Sequence, residues 1–170
     1  DFMWCILRCQ SEKTEQIMES CRRNISGQVL RDVFTFTYER MRRYEGSWHT
    51  ETRSMFPGYI FLETEKPDEL SEALEPYRGV VSVLENDRLL LKVQPEEEEL
   101  LRSLCGREHH LAMSQGYIRN GITHITEGPL VGMERRIRRI DRHKRLADIA
   151  SPVQGMEGPV QAGLEITSKS

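Results

Sequence analysis

The sequence predicts an α+β protein in two parts. The first is an N-terminal sandwich of helices over a mostly antiparallel sheet, and the second is a small C-terminal β-barrel. Two observations predict this. Through residue 105, short apolar runs of strand length alternate with three helix patterns. Beyond residue 120, short strand-like runs are separated by Gly turns, the pattern of a small barrel. Residues 106–116 are polar, carry His109-His110 and lack an apolar period, so they read as a linker between domains at 3–105 and 117–170. A length of 170 residues suits one domain or two small ones, and 38% apolar residues with 12 Gly suffice for modest cores.

Residues 3–9 form an apolar run of strand length. Ser11 can cap a following helix, on which Ile17, Cys21 and Ile25 recur every four residues beside Met18. Residues 29–38 are rich in Val, Phe, Thr and Tyr, a strand composition. Gly46-Ser47 marks a turn, from which residues 48–55 return as the second arm of a hairpin. Residues 59–62 read as another strand. Pro67 opens a second helix with Leu70, Leu74 and Tyr77 on one face. Residues 80–84 follow Gly79 as a strand. Pro95 and the glutamates at 96–99 open a third helix, because carboxylates in a first turn favour the helix dipole. In the second half, Gly128-Pro129 and Gly132 are turns, Asp141-Arg142-His143-Lys144 is a hairpin tip, and residues 146–149, Val153 and 164–166 supply strands. Ile137 and Ile140 have opposite parity, so strict alternation fails there; a bulge is one account of it, at no position the sequence assigns.

Several function classes are excluded or left without support. No apolar run approaches 18 residues, so no membrane-spanning helix is expected. No secretory signal is visible, and Cys5, Cys9, Cys21 and Cys105 lack zinc-ligand spacing and fall mostly in apolar segments, so reduced structural thiols and a cytoplasmic location are expected. There is no nucleophile elbow, P-loop or dinucleotide fingerprint, and Glu108-His109-His110 lacks metal-ligand spacing. A non-catalytic, monomeric binding factor without cofactor or metal is the expectation.

Two segments stand out as candidate binding sites. In Met55-Phe56-Pro57-Gly58-Tyr59-Ile60-Phe61, Pro-Gly turns the chain and alternation puts Tyr59 and Phe61 on one face. These aromatics form either a sheet core or an apolar depression that docks a partner's helix tip. The charge distribution marks the other segment. Residues 1–120 hold 16 basic and 21 acidic residues, whereas residues 121–170 hold 8 and 6. Arg135, Arg136, Arg138, Arg139, Arg142, Lys144 and Arg145, with His143, are interrupted by one acid, Asp141. Such a strip is either a solvated face or a nucleic-acid footprint.

Trp4, the Phe56-Pro57-Gly58-Tyr59-Ile60-Phe61 block and Arg78-Gly79-Val80 resemble the N-terminal (NGN) domain of NusG-family transcription factors in order and spacing. Gly128-Pro129, Gly132 and Ile140-Asp141 resemble the family's C-terminal KOW β-barrel. Gly121-Ile122 stands where Gly-Asp is usual, and Arg135 where a small residue is usual. The basic stretch most resembles the LoaP-type paralogs, a specialised subgroup. The resemblance implies that Trp4, Phe56, Pro57, Gly58, Tyr59, Phe61 and Val83 dock on the clamp helices of bacterial RNA polymerase, with DNA contact in the elongation complex. It also implies that the basic strip binds a leader RNA hairpin, giving a processive antiterminator. The competing readings are a general NusG elongation factor whose KOW domain binds proteins, and a KOW-type ribosome-associated RNA binder. The abundant Gly, Pro and Ile of the second half favour a constitutive barrel over a fold-switching one.

Overall fold

The computed structural model describes residues 1–156 and 158–170. In chain order the elements are β1 (Met3–Arg8), α1 (Thr14–Asn24), β2 (Asp32–Phe34), β3 (Thr37–Tyr44), β4 (Ser47–Ser54), β5 (Tyr59–Thr64), α2 (Pro67–Leu74), β6 (Leu90–Lys92), α3 (Pro95–Cys105), β7 (His110–Leu111), β8 (Ser114–Arg119), β9 (Ile122–Glu127), β10 (Ile137–Asp141), β11 (Leu146–Ile149) and β12 (Val160–Lys169). The mixed α/β class matches the expectation. The chain divides into two compact units. One comprises Asp1–Thr35 with Phe56–Glu98, and the other Phe36–Met55 with Glu99–Ser170.

The first unit is a four-stranded antiparallel sheet in the order β2-β5-β1-β6. Its central strand β1 is buried from Trp4 through Leu7, which explains why residues 3–7 are apolar without alternation. The register sorts the side chains by face. Leu7 lies opposite Ile60, and Leu62 opposite both Cys5 and Val33. Leu7, Val33, Ile60 and Leu62 belong to the core that also takes Ile17, Met18 and Cys21 of α1 and Leu70 and Leu74 of α2. Fully burying one such leucine contributes about 1.5–3 kcal/mol. The opposite face carries Trp4, Ile6, Phe34 and Phe61.

Some local expectations are revised. Ser11 does not cap α1. It lies in a short 3-10 turn, Ser11–Lys13, and its hydroxyl reaches Glu12 instead. Ile25 lies just past the end of α1, still buried. Residues 29–38 split into β2 and the start of β3, which pair in different sheets. Residues 80–84 form no strand. The Val80 and Val81 amides both turn back to the Tyr77 carbonyl, and a left-handed pair, Asn86 and Asp87, delays the strand until β6. At α3 the Glu97 carboxylate accepts the Gln94 amide at 2.8 Å, so one of the four glutamates closes the helix start.

In the second unit, β3 and β4 form a hairpin closed by Glu45-Gly46, both at positive φ, the two-residue turn that suits strand twist. β7 joins β3 in parallel, so residues 106–116 carry a strand and the start of β8. A five-stranded sheet runs β10-β11-β12-β8-β9, with β12 antiparallel to β11 and parallel to β8. The register slips between Ile137 and Arg139, which gives a position to the irregularity that the parity of Ile137 and Ile140 leaves unplaced. Within this unit β3 approaches β12 closely. Tyr38 donates its hydroxyl to Gln161 Oε1 at 2.8 Å, and a Cβ on Gly163 would collide with the Glu39 carbonyl oxygen and Met113 Sδ.

Two outcomes follow from this packing. Gly163→Ala is expected to destabilise the protein by about 1–3 kcal/mol in a denaturant melt. Gly27→Ala, with nothing within 4 Å of the new Cβ, is expected to stay within about 0.5 kcal/mol of the parent. All four cysteines are free and buried, and burial pushes the Cys5 thiol up to about 11 and Cys105 to about 12. A colourimetric thiol reagent at pH 8 is therefore expected to label the native protein only slowly, and all four sites promptly in denaturant.

Candidate functional site

The aromatic segment is built on a turn. Tyr59 donates its amide to the Phe56 carbonyl at 3.0 Å across Pro57-Gly58, and Gly58 has φ +82°, the arrangement of a type II turn. The turn is seated on the end of β1. The Cys9 amide donates to the Gly58 carbonyl at 2.7 Å, and any Cβ at Gly58 would strike the Cys9 carbonyl oxygen. Only glycine meets both demands.

The aromatics around the turn differ in exposure. Trp4 and Phe61 are 1% and 0% exposed, and Phe56 is also buried. Trp4 packs edge-on to Phe34 at 5.2 Å and to Phe61 at 6.1 Å, and Phe56 packs on Phe61 at 5.8 Å. The Trp4 indole N–H donates to Glu63 at 3.0 Å. Pro57 is exposed and Tyr59 half-buried, with the Arg8 guanidinium 5.4 Å from the Tyr59 ring centre. The Ser82 amide donates to the Arg8 carbonyl at 2.8 Å, which brings the 80–84 loop to the same sheet end. That loop exposes Val80 and Val83, at 49% and 47%. Arg78 braces it through Glu75 at 2.8 Å and Asp87 at 2.9 Å. The structure thus divides the expected docking residues. Trp4, Phe56 and Phe61 are core, whereas Pro57, Tyr59 and Val83, joined by Val80, form an accessible rim.

The basic segment surrounds the β10–β11 hairpin. Arg135 and Arg136 lie in the 3-10 turn before β10, and Arg138 and Arg139 lie on β10. Arg135, Arg138, Arg139, Arg142, His143 and Lys144 are exposed, and Arg136 is half-buried. Arg138 donates to the Arg135 carbonyl at 2.8 Å. Asp141 closes the tip by accepting the Lys144 amide at 3.0 Å. That hydrogen bond, with the charge of Lys144 and Arg139, holds its carboxyl below the usual carboxylate range. Arg145 differs from its neighbours. It has φ +54°, pairs with Glu165 at 2.9 Å and lies over the Trp48 ring at 3.9 Å. It anchors the tip, and its contacts lie too far along the chain for a charge count to reveal.

Among the described residues no three His, Cys, Asp or Glu gather as a metal site, and no helix is long and apolar enough to cross a membrane. The model of the family described as "Transcription termination factor nusG" matches residues 2–102. The chain belongs to the NusG family. NusG-family proteins are non-enzymatic transcription factors that bind RNA polymerase. The fold of this NusG-family chain is similar to NusG of Thermotoga maritima, in a structure concerned with domain interaction in that protein. That match has a TM-score of 0.56 at 17% identity and covers 98% of this chain and 94% of that one. No curated protein matches the sequence significantly.

The tip of this NusG-family chain has a defined pH response. Because Asp141 is depressed in the folded state, its contribution is fully present above the ordinary carboxylate range and disappears as pH falls through its lowered value. The Lys144 amide signal, followed by NMR, is expected to shift as pH falls below about 5. In Asp141→Asn that acid-dependent shift is expected to vanish.

Proposed function

We propose that this protein is a specialised NusG-type elongation factor that acts as a processive antiterminator. In this reading residues 3–105 form the polymerase-binding NGN part, which docks on the clamp helices of RNA polymerase and contacts DNA in the elongation complex. Residues 117–170 form a KOW-type module that binds a structured RNA in the leader of its target operons. The observation that carries the reading is the β10–β11 tip, where Arg138, Arg139, Arg142, His143 and Lys144 are exposed around one acid, Asp141, already engaged in the turn. Arginine guanidinium groups pair with phosphate bidentately and stack on bases, and the charge is concentrated where a folded RNA can reach it.

The polymerase contact falls to the accessible rim. Helix tips are held by a few well-desolvated apolar anchors, and Tyr59, Pro57 and Val83 supply a half-buried ring between exposed apolar groups. The buried rings act beneath them. Trp4, Phe34, Phe56 and Phe61 set the shape of the surface on which the rim stands.

Single-round transcription through intrinsic terminators, on templates with and without the 5′ leader of the gene's operon, tests the reading. Leader-dependent read-through is expected. It is expected to disappear in Arg139→Gln/Arg142→Gln/Lys144→Gln, and all effect on polymerase is expected to disappear in Tyr59→Ala/Val83→Ser with the melt unchanged. A leader-independent effect on pausing would instead make the protein a general elongation factor and the tip a solvated face.

A further inference from the structure

The basic residues of the tip do not stand alone. Within the second unit, two depressions adjoin each other, of about 780 and 280 Å³. Both are lined by Trp48 and His143. The larger runs beneath the tip, past Arg139 and Arg142, and the smaller runs along the β3–β4 hairpin, past Arg42, Arg43 and Lys144. A seam with cations on both banks therefore joins two hairpins that are far apart in sequence.

The two acids that line this seam, Glu165 and Asp141, and Glu51 beside Arg42 are already engaged. Glu165 is held by Arg145 at 2.9 Å, Glu51 by Arg53 at 2.9 Å and by Arg42 at 3.5 Å, and Asp141 by the Lys144 amide. Arg43, Arg139, Arg142 and Lys144 have no ion-pair partner among the described residues. Arg40 lines the smaller depression as well, and its Nε is buried without a hydrogen-bond partner. The Arg145 guanidinium stacked on Trp48 fixes the seam's floor, so the two banks are held at a set spacing before any ligand arrives. Two cationic banks over a floor of stacked Arg145 and Trp48 suit a polyanion with charge on two sides. An apolar ligand would find little to bind.

We infer that the β3–β4 hairpin and the barrel tip form one composite cleft that grips the phosphodiester backbone of a folded nucleic acid from both sides, the ligand being the stem of a structured RNA. This rests on the RNA-binding reading of the tip and extends it to Arg42, Arg43 and Trp48 on the hairpin. Phosphate-contacting cations add to affinity and salt dependence together.

The test uses the full chain with a fluorescein-labelled RNA stem-loop of about 20 base pairs and its DNA counterpart, followed by anisotropy over a salt series. Arg42→Gln/Arg43→Gln is expected to weaken RNA binding about tenfold in 0.1 M salt and to lower the log–log salt slope by about 2. RNA is also expected to change the tryptophan emission of the parent, and Trp48→Phe, which retains the buried Trp4, to abolish that change. Far-UV spectra and melts check that each variant is folded. If the hairpin variant binds like the parent while Arg139→Gln/Arg142→Gln/Lys144→Gln does not bind, the composite cleft is wrong and the RNA-binding tip stands. If neither variant loses affinity, both ideas fail. Equal or tighter binding of the DNA stem-loop would overturn the assignment to RNA.

Discussion

A strand flanked on both edges and covered on both faces leaves no room for polar side chains, and β1 is under that constraint from Trp4 to Leu7. Its even and odd positions serve different neighbours. Leu7 closes the helix-covered core, while Trp4 and Ile6 lie on the aromatic side. The Phe56–Tyr59 turn takes its position from the same strand's end, through the reciprocal closeness of Cys9 and Gly58. The Ser82 amide then fastens the loop carrying Val80 and Val83 to the Arg8 carbonyl. Every group of the apolar rim is thus placed, directly or at one remove, by β1. A shift in its register would exchange the two faces and scatter the rim.

The second unit is organised by a different principle, the matching of local charge to distant partners. Its exposed tip is stiffened from within by Asp141 and from outside by Arg145, which leaves the run of cations to join Glu165 and Trp48. The hairpin of β3 and β4 comes close to β12 because position 163 has no side chain, and the Tyr38–Gln161 hydrogen bond satisfies the polar groups brought together there. The basic surface and the aromatic floor beneath it are consequences of that fit.

How much of this was legible in the sequence depended on how far each signal reached. The first two helices and the β3–β4 hairpin are written in local patterns. Ile17 and Cys21, Leu70 and Leu74, and the Gly46 turn are each decided within a few residues. In β10 the opposite parity of two isoleucines marks an irregularity locally, but only the pairing with β11 places the slip between Ile137 and Arg139. The Asn120-Gly121 turn joining β8 to β9 also carries a strong hairpin signal, with both residues at positive φ, yet β8 begins inside the stretch whose polarity reads as a linker. Residues 80–84 have strand composition but no free strand edge, because their amides are drawn to Tyr77 and Arg8. The site was legible as composition but not as exposure. Aromatic residues that build a core and aromatic residues that receive a partner look alike in a sequence, and only the fold separates Trp4, Phe56 and Phe61 from Tyr59. Arg145 reads as one more cation until Glu165 and Trp48 are brought beside it.

The division of labour at the tip bears on how the protein can change over generations. The backbone there is held by Asp141 and Arg145, so the side chains at 139 and 142–144 project without supporting the fold around them. Substitutions at those positions cost little stability, because exposed sites away from caps and buried pairs tolerate replacement. A lineage could therefore re-aim this tip toward a new ligand one residue at a time, passing only through folded intermediates, while the two anchoring positions stay closed to drift.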